Sequence, residues 1–258
     1  LEHGQVPVQI NGSARSYGFD TGANLSTLMR SEATALGLRI LPAGIDIGTS
    51  TDHRITADLA VADEVVIGAM HYRHVVFIVL DDSLLTFTDG FRIPGLIGFP
   101  VIEQMGEVQF NRDGEFIVPA TAPRRLQRNL ALDELTPLVN VTWHNSSLLC
   151  LLDTGAGTTR FYEPFYRRFK MQIDSMGRAG TRRMSGAGGV SETKVYVLPS
   201  THLYLGDTVA TLDSAAVLTR SIAPTPSENF RDCAIGRDVL KQFSGYVLNF
   251  RNMAFILR

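Results

Sequence analysis

Hydrophobic and polar residues alternate along most of this chain with the two-residue period of half-buried strands, and only short stretches carry helical spacing. Val6 to Ile10 alternates and then meets Asn11-Gly12, the dipeptide that favours a two-residue hairpin. Ile45 to Thr51 and Arg54 to Ala62 read as the arms of a second hairpin. Val65 to Ile67, Val75 to Leu80 and Gly95 to Gly98 add further short β-runs. Ser31 to Leu38 has helical spacing and is stopped by Gly37. The same order then returns. Leu138 to Trp143 and Leu148 to Leu152 flank a four-residue turn, Phe161 to Phe169 predicts an aromatic, basic helix, and Thr193 to Leu198 follows a glycine-rich tip.

One tetrapeptide punctuates both halves: Asp20-Thr21-Gly22-Ala23 and Asp153-Thr154-Gly155-Ala156, each after an apolar run and before a helix-like segment. An Asp at a strand end is a carboxylate at a fixed point. Thr offers a locking hydroxyl, Gly permits close approach of a neighbour, and Ala leaves room beside the acid. Gly95-Leu96-Ile97-Gly98 follows the first copy, and Cys233-Ala234-Ile235-Gly236 follows the second. Asp20 and Asp153 are 133 residues apart, and Phe110 and Phe250, each closing a β-run, are 140 apart. Solenoid repeats run to roughly 50 residues, so a period this long marks a duplicated domain.

This duplicated DTGA with its downstream apolar-apolar-Gly strand resembles the active-site signature of aspartic proteases, specifically the retropepsin-like branch. The resemblance implies a mainly β, two-lobed acid-protease fold in which each lobe is a closed β-barrel with short helices. The expected boundaries are 1–118 for the first lobe, 119–136 for a linker, and 137–258 for the second. The linker is polar, with Pro123, Arg124, Arg125 and Arg128, and Leu126 to Leu132 is compatible with a short helix.

The resemblance also implies roles. Asp20 and Asp153 would be catalytic, with Thr21, Gly22, Ala23, Thr154, Gly155 and Ala156 supporting the loops and Gly98 and Gly236 packing behind them. Flap candidates are Gly48, Thr49 and Ser50 in one hairpin and Gly186, Ala187, Gly188 and Gly189 in the other. The first tip lacks the Tyr usual in pepsin-like flaps. Asp46, Asp52 and Asp58 against Arg178, Arg182 and Arg183 give the two hairpins opposite charge, which reads first as solvated surface.

Two carboxylates about 3 Å apart cannot both ionise cheaply, so they share a proton and titrate as a pair. The ionised member can take a proton from water while the protonated one polarises an amide carbonyl. No metal or cofactor is required, and the partner is a peptide or protein substrate. Ala23 and Ala156 offer the dyad no side-chain donor, so it should be less acidic than pepsin's and work best from mildly acidic to near-neutral pH. The alternative is a catalytically silent peptide-binding or inhibitory protein of the same bilobal fold, although such relatives usually lose part of one signature.

Composition excludes other classes. With 45% hydrophobic and 19% charged residues and a net charge of −2, the chain is ordinary globular protein, with no basic tract for nucleic acid. No apolar run has the roughly 18–20 residues of a membrane-spanning helix. Gly155-Ala156-Gly157 lacks the third glycine of a dinucleotide loop, Arg160 standing in its place. Asp81, Asp82 and Asp238 read as turn or surface residues, and His71 with His74 as surface rather than ligands. Cys150 and Cys233 lack metal-ligand spacing; two buried free thiols are the expectation, a bond the alternative. A chain beginning at Leu1 without initiator Met is expected to be a processed form or an excised fragment. The resemblance, not these residues, implies an exported or periplasmic protein active as a monomer.

Overall fold

A computed structural model describes residues 4–48, 54–86, 92–121, 124, 126, 128–186, 189–222 and 230–258. Thr49, Ser50, Ala187 and Gly188 of the expected flap tips lie outside them. The first half contains β1 (Gln5–Ile10), β2 (Ser13–Phe19), β3 (Ser26–Met29), α1 (Arg30–Ala35), β4 (Ile40–Gly48), β5 (Arg54–Ile67), β6 (Met70–Leu80), β7 (Gly95–Ile97) and α2 (Phe99–Gln104). Asn11 and Gly12, with φ of 46° and 82°, make the β1–β2 turn that their residue types predict. Gly37, at φ 67°, ends the first helical segment, and Leu38 N–H donates to the Ala33 carbonyl at 3.0 Å.

The strands run β1-β2-β7-β3-β6-β5-β4, and β1 pairs again with β5 through Gln9–Val66 and Ile10–Val65. That second pairing closes six strands into a barrel. Its interior holds the buried faces of Val6, Val8, Ile10, Tyr17, Phe19, Phe77 and Ile97, so alternation along each strand decides which residues enter the core.

After β8 (Glu107–Asn111) and β9 (Phe116–Ile117) comes β10 (Leu130–Asp133), which pairs with β11 (Thr136–Trp143). The segment expected to be linker, with a helix around Leu126–Leu132, thus contributes a strand. Leu130 packs into the core and Asn129 binds Phe255 through both its amide N and O, so tertiary pairing overrides local helical spacing. The half continues through β12 (Ser146–Leu152), β13 (Arg160–Phe161), α3 (Glu163–Arg168), α4 (Lys170–Met176), β14 (Arg178–Gly186), β15 (Gly189–Leu198), β16 (Thr201–Leu205), β17 (Thr208–Leu212), β18 (Ala215–Leu218), β19 (Cys233–Ile235) and α5 (Arg237–Leu240). The helix expected over Phe161–Phe169 is α3, and the chain breaks at Phe169, at φ −117°, before a second short helix, α4.

The order here is β14-β15-β18-β13-β19-β12-β11-β16-β17. Joining β15 to β16 and β17 to β18 reproduces the first lobe's order, and the Thr142–Tyr204 pair of β11 and β16 stands where β1 meets β5. Pro199-Ser200 and Asp213-Ser214 interrupt those two strands. Proline has no N–H to donate to a ladder. The second lobe is accordingly a half-barrel rather than the closed barrel expected.

A third sheet, β21 (Ala254–Leu257), β20 (Gly245–Asn249), β8 and β9, is built from both halves. Phe110 of β8 stacks on Tyr246 of β20 at 4.8 Å between centroids and meets Phe19 edge-on at 5.0 Å. Glu107, fully buried, accepts a 2.6 Å hydrogen bond from Asn249 in the opposite half.

Cys150 and Cys233 form a disulfide, contrary to the free-thiol expectation. The parallel pairing of β12 with β19 sets the two directly opposite, with Cα atoms 4.5 Å apart. That separation suits a bond, whereas sequence shows only two cysteines far apart. Because the bond closes a long loop in the unfolded chain, a Cys150→Ala/Cys233→Ala variant is expected to lose about 2–4 kcal/mol of stability in urea unfolding. An unchanged midpoint and slope would refute this.

Candidate active site

Strands β2 and β12 each lead directly into the signature aspartate, at related places in the two lobes. β2 lies parallel to β7 and β12 parallel to β19, and the pairing continues one step past each strand. Asp20 N–H donates to Ile97 O at 3.1 Å and Asp153 N–H to Ile235 O at 3.0 Å. Each aspartate then folds back on its own loop. Gly22 N–H donates to Asp20 Oδ1 at 2.8 Å, and Ala156 N–H to Asp153 Oδ1 at 2.8 Å.

The loops clasp one another. Thr21 N–H donates to Thr154 Oγ1 at 3.0 Å and Thr154 N–H to Thr21 Oγ1 at 3.1 Å. Each hydroxyl donates onward across the lobe boundary, Thr21 to Leu152 O at 2.5 Å and Thr154 to Phe19 O at 3.0 Å. Both threonines are buried, so these polar groups would be costly to leave unpaired. The clasp sets each glycine against the opposite carboxylate. A Cβ on Gly22 would lie 2.8 Å from Asp153 Cγ, and one on Gly155 would collide with the Asp20 carboxylate.

Gly98 and Gly236 sit directly behind. A Cβ on Gly98 would lie 2.5 Å from the Leu25 carbonyl carbon, and one on Gly236 would lie 2.7 Å from that of Thr158. Gly98 N–H donates to Ser26 Oγ and Gly236 N–H to Thr159 Oγ1, both at 3.0 Å. Phe99 N–H and Arg237 N–H then reach the carbonyls of Ala23 and Ala156 at 2.8 and 2.9 Å.

The structure adds residues that sequence reasoning missed. Asp238, read as turn or surface, accepts both the N–H and hydroxyl of buried Thr159, at 2.8 and 2.6 Å, and so braces the second loop. Its position two residues after Gly236 was the available signal. The first lobe has Pro100 at the matching place, in the first turn of α2. Asp81 and Asp82 do lie at a surface turn, where Asp81 pairs with Arg30, while Asp82 accepts the Ser31 N–H and pairs with Arg92. His71 is an exposed partner of Glu64 at 3.0 Å. Among the described residues, no group of His, Cys, Asp and Glu could hold a metal.

Burial and the facing Asp153 charge push the Asp20 carboxyl up to about 7, against the pull of the Gly22 and Ala23 amides and the Arg237 charge. Tyr162, near Asp153 and Arg160, is also shifted upward, chiefly by burial.

Of the expected flap residues, Gly48 ends β4 while Gly186 and Gly189 pair across the tip of β14 and β15. Asp58 is held by Arg30 at 2.7 Å and so serves the first hairpin's base, whereas Arg178, Arg182 and Arg183 are partly or fully exposed along β14.

The family model described as aspartyl protease matches residues 6–101, from β1 into α2. With its two DTGA loops, the chain resembles the retropepsin-like aspartyl proteases. No curated protein matches it. A solved structure of a retropepsin-like aspartic protease from Rickettsia conorii is 19% identical, over 39% of this chain and 68% of that one, with a TM-score of 0.28. The aspartyl-protease match covers the loop of Asp20 but not that of Asp153.

Two outcomes follow from this geometry. Gly22→Ala is expected to part the loops and lower stability by about 1–3 kcal/mol, by the loss of buried hydrogen bonds; thermal unfolding would read it. Asp20 has a folded pKa above its unfolded value, so its protonation stabilises the fold below about pH 4, and that contribution is lost as pH rises through about 7. Asp20→Asn should therefore gain stability relative to the parent above pH 7, and denaturant curves showing equal stability at pH 5 and pH 8 would refute the shift.

Proposed function

We propose that this protein is an aspartic endopeptidase whose hydrolytic centre combines Asp20 and Asp153, one from each half of a single chain. The observation that carries the reading is the reciprocal Thr21–Thr154 clasp, which packs each signature glycine against the other loop's carboxylate. The aspartyl-protease match over the first half supports it. The expected lobe boundaries serve the same scheme, with the sheet of β8, β9, β20 and β21 as the base on which the lobes meet.

In this scheme one proton is shared by the dyad, and the upward shift of Asp20 favours keeping it. The ionised carboxylate accepts a proton from water, and the oxygen adds to the scissile carbonyl carbon. The acid protonates the carbonyl oxygen, giving a neutral tetrahedral diol. Proton transfer to the amide nitrogen then lets the C–N bond break, yielding a carboxyl and an amine and returning the shared proton. Substrate lies extended between the lobes and pairs its main chain with the β4–β5 and β14–β15 hairpins, which act as flaps. The centre is complete within one chain, so the monomer is the active form. The Cys150–Cys233 bond favours an oxidising compartment such as the periplasm or cell exterior.

Incubation with denatured protein is expected to give cleavage that a statine-type transition-state mimic blocks. Asp20→Asn or Asp153→Asn should lower it by at least about 10³-fold. Activity should fall as pH rises through about 7, where the pair loses its shared proton. Cleavage untouched by both substitutions, or a profile peaking below about pH 3, would overturn the proposal. Binding of the mimic without cleavage would identify a silent peptide-binding protein instead.

A further inference from the structure

Behind the signature loops, on the side of the α5 turn and the two-lobed sheet, lies a cavity of about 160 Å³. Thr154 contributes to its wall, so the cavity touches the clasped loops from the rear. Phe243 and Tyr246 supply aromatic wall, and Arg237, Arg112 and Lys241 supply three cationic groups. No carboxylate lines it. Arg112 and Lys241 are exposed, whereas Arg237 is half-buried.

Arg237 is the central element. Its Nε is buried with no hydrogen-bond partner, and no acid pairs with its guanidinium among the described residues. Gly4 and Gly157 stand beside it, where a Cβ would lie 3.2 Å from Nη1 and 3.8 Å from Nη2, and neither has a side chain to supply an acceptor. A buried Nε–H without an acceptor is costly to keep, and an oxyanion matches the guanidinium's planar donor set. The neighbouring cations add attraction at the entrance, and the aromatic walls suit an apolar body rather than a bare ion.

We propose that this cavity is a second binding site, distinct from the cleft between the lobes, for a small organic carboxylate: the anion on Arg237, the apolar portion against Phe243 and Tyr246. Arg237 also donates its backbone N–H to Ala156 O, so the occupant bears on the residue that anchors the second signature loop.

Titration calorimetry on the full chain would test this with 3-phenylpropionate, using 3-phenylpropanol as the uncharged isostere and inorganic phosphate as an anion without an apolar body. The acid should saturate one site, with each control about tenfold weaker or more, as expected for loss of one charge-assisted hydrogen bond or of the apolar contact. Arg237→Gln should weaken the acid by about tenfold or more. Lys241→Glu, on the exposed rim, should weaken it several-fold and keeps the test open if the first variant does not fold. Equal binding of the alcohol, phosphate as tight as the acid, no saturation by the acid, or affinity unchanged in Lys241→Glu or in a folded Arg237→Gln would each overturn the proposal.

Discussion

Two like-charged carboxylates are brought to one place by hydrogen bonds that neither lobe can make alone. Thr21 and Thr154 exchange backbone and hydroxyl bonds across the lobe boundary, and both are buried. Breaking the clasp would leave several buried donors and acceptors unpaired, so the loops have few alternatives to this arrangement. Electrostatics opposes the clasp: Asp20 is held well above the ordinary carboxylate range by burial and by Asp153. Hydrogen bonding and packing therefore hold together a pair of carboxylates that charge repulsion alone would drive apart.

The scaffold around the clasp is organised to keep it rigid. Glycines behind both loops allow backbone to meet backbone at distances that no side chain would permit. Hydroxyls six residues after each aspartate, Ser26 and Thr159, cap the amides of those glycines. The lobes then share a sheet through β8 and β20, where Phe19, Phe110 and Tyr246 form a continuous aromatic contact. Departures from symmetry are local. Asp238 braces the second loop where the first lobe has Pro100, and the disulfide ties β12 to β19 where the first lobe has Tyr17 packed against Gly95.

What the residues themselves determined was the repeat and its signature loops. The DTGA tetrapeptides, the downstream glycines and the two-residue hydrophobic period were legible because strand alternation and glycine requirements are local, set by backbone geometry within a few residues. The hairpin at Asn11-Gly12 and the stop at Gly37 were readable for the same reason.

Tertiary structure decided what depends on neighbours distant in the chain. Leu130 to Asp133 became a strand because β11 offered it an edge, although its spacing suits a helix. Cys150 met Cys233 because two strands fell into parallel register, 83 residues apart in sequence. The second barrel opened where Pro199 and Asp213 interrupt strands that run on unbroken in the first lobe. Asp238 became a loop brace, and the Arg237 Nε was left without an acceptor among the described residues, only once the chain had closed around them. Register, closure and pairing are sums over long-range contacts, and no window of sequence contains both partners.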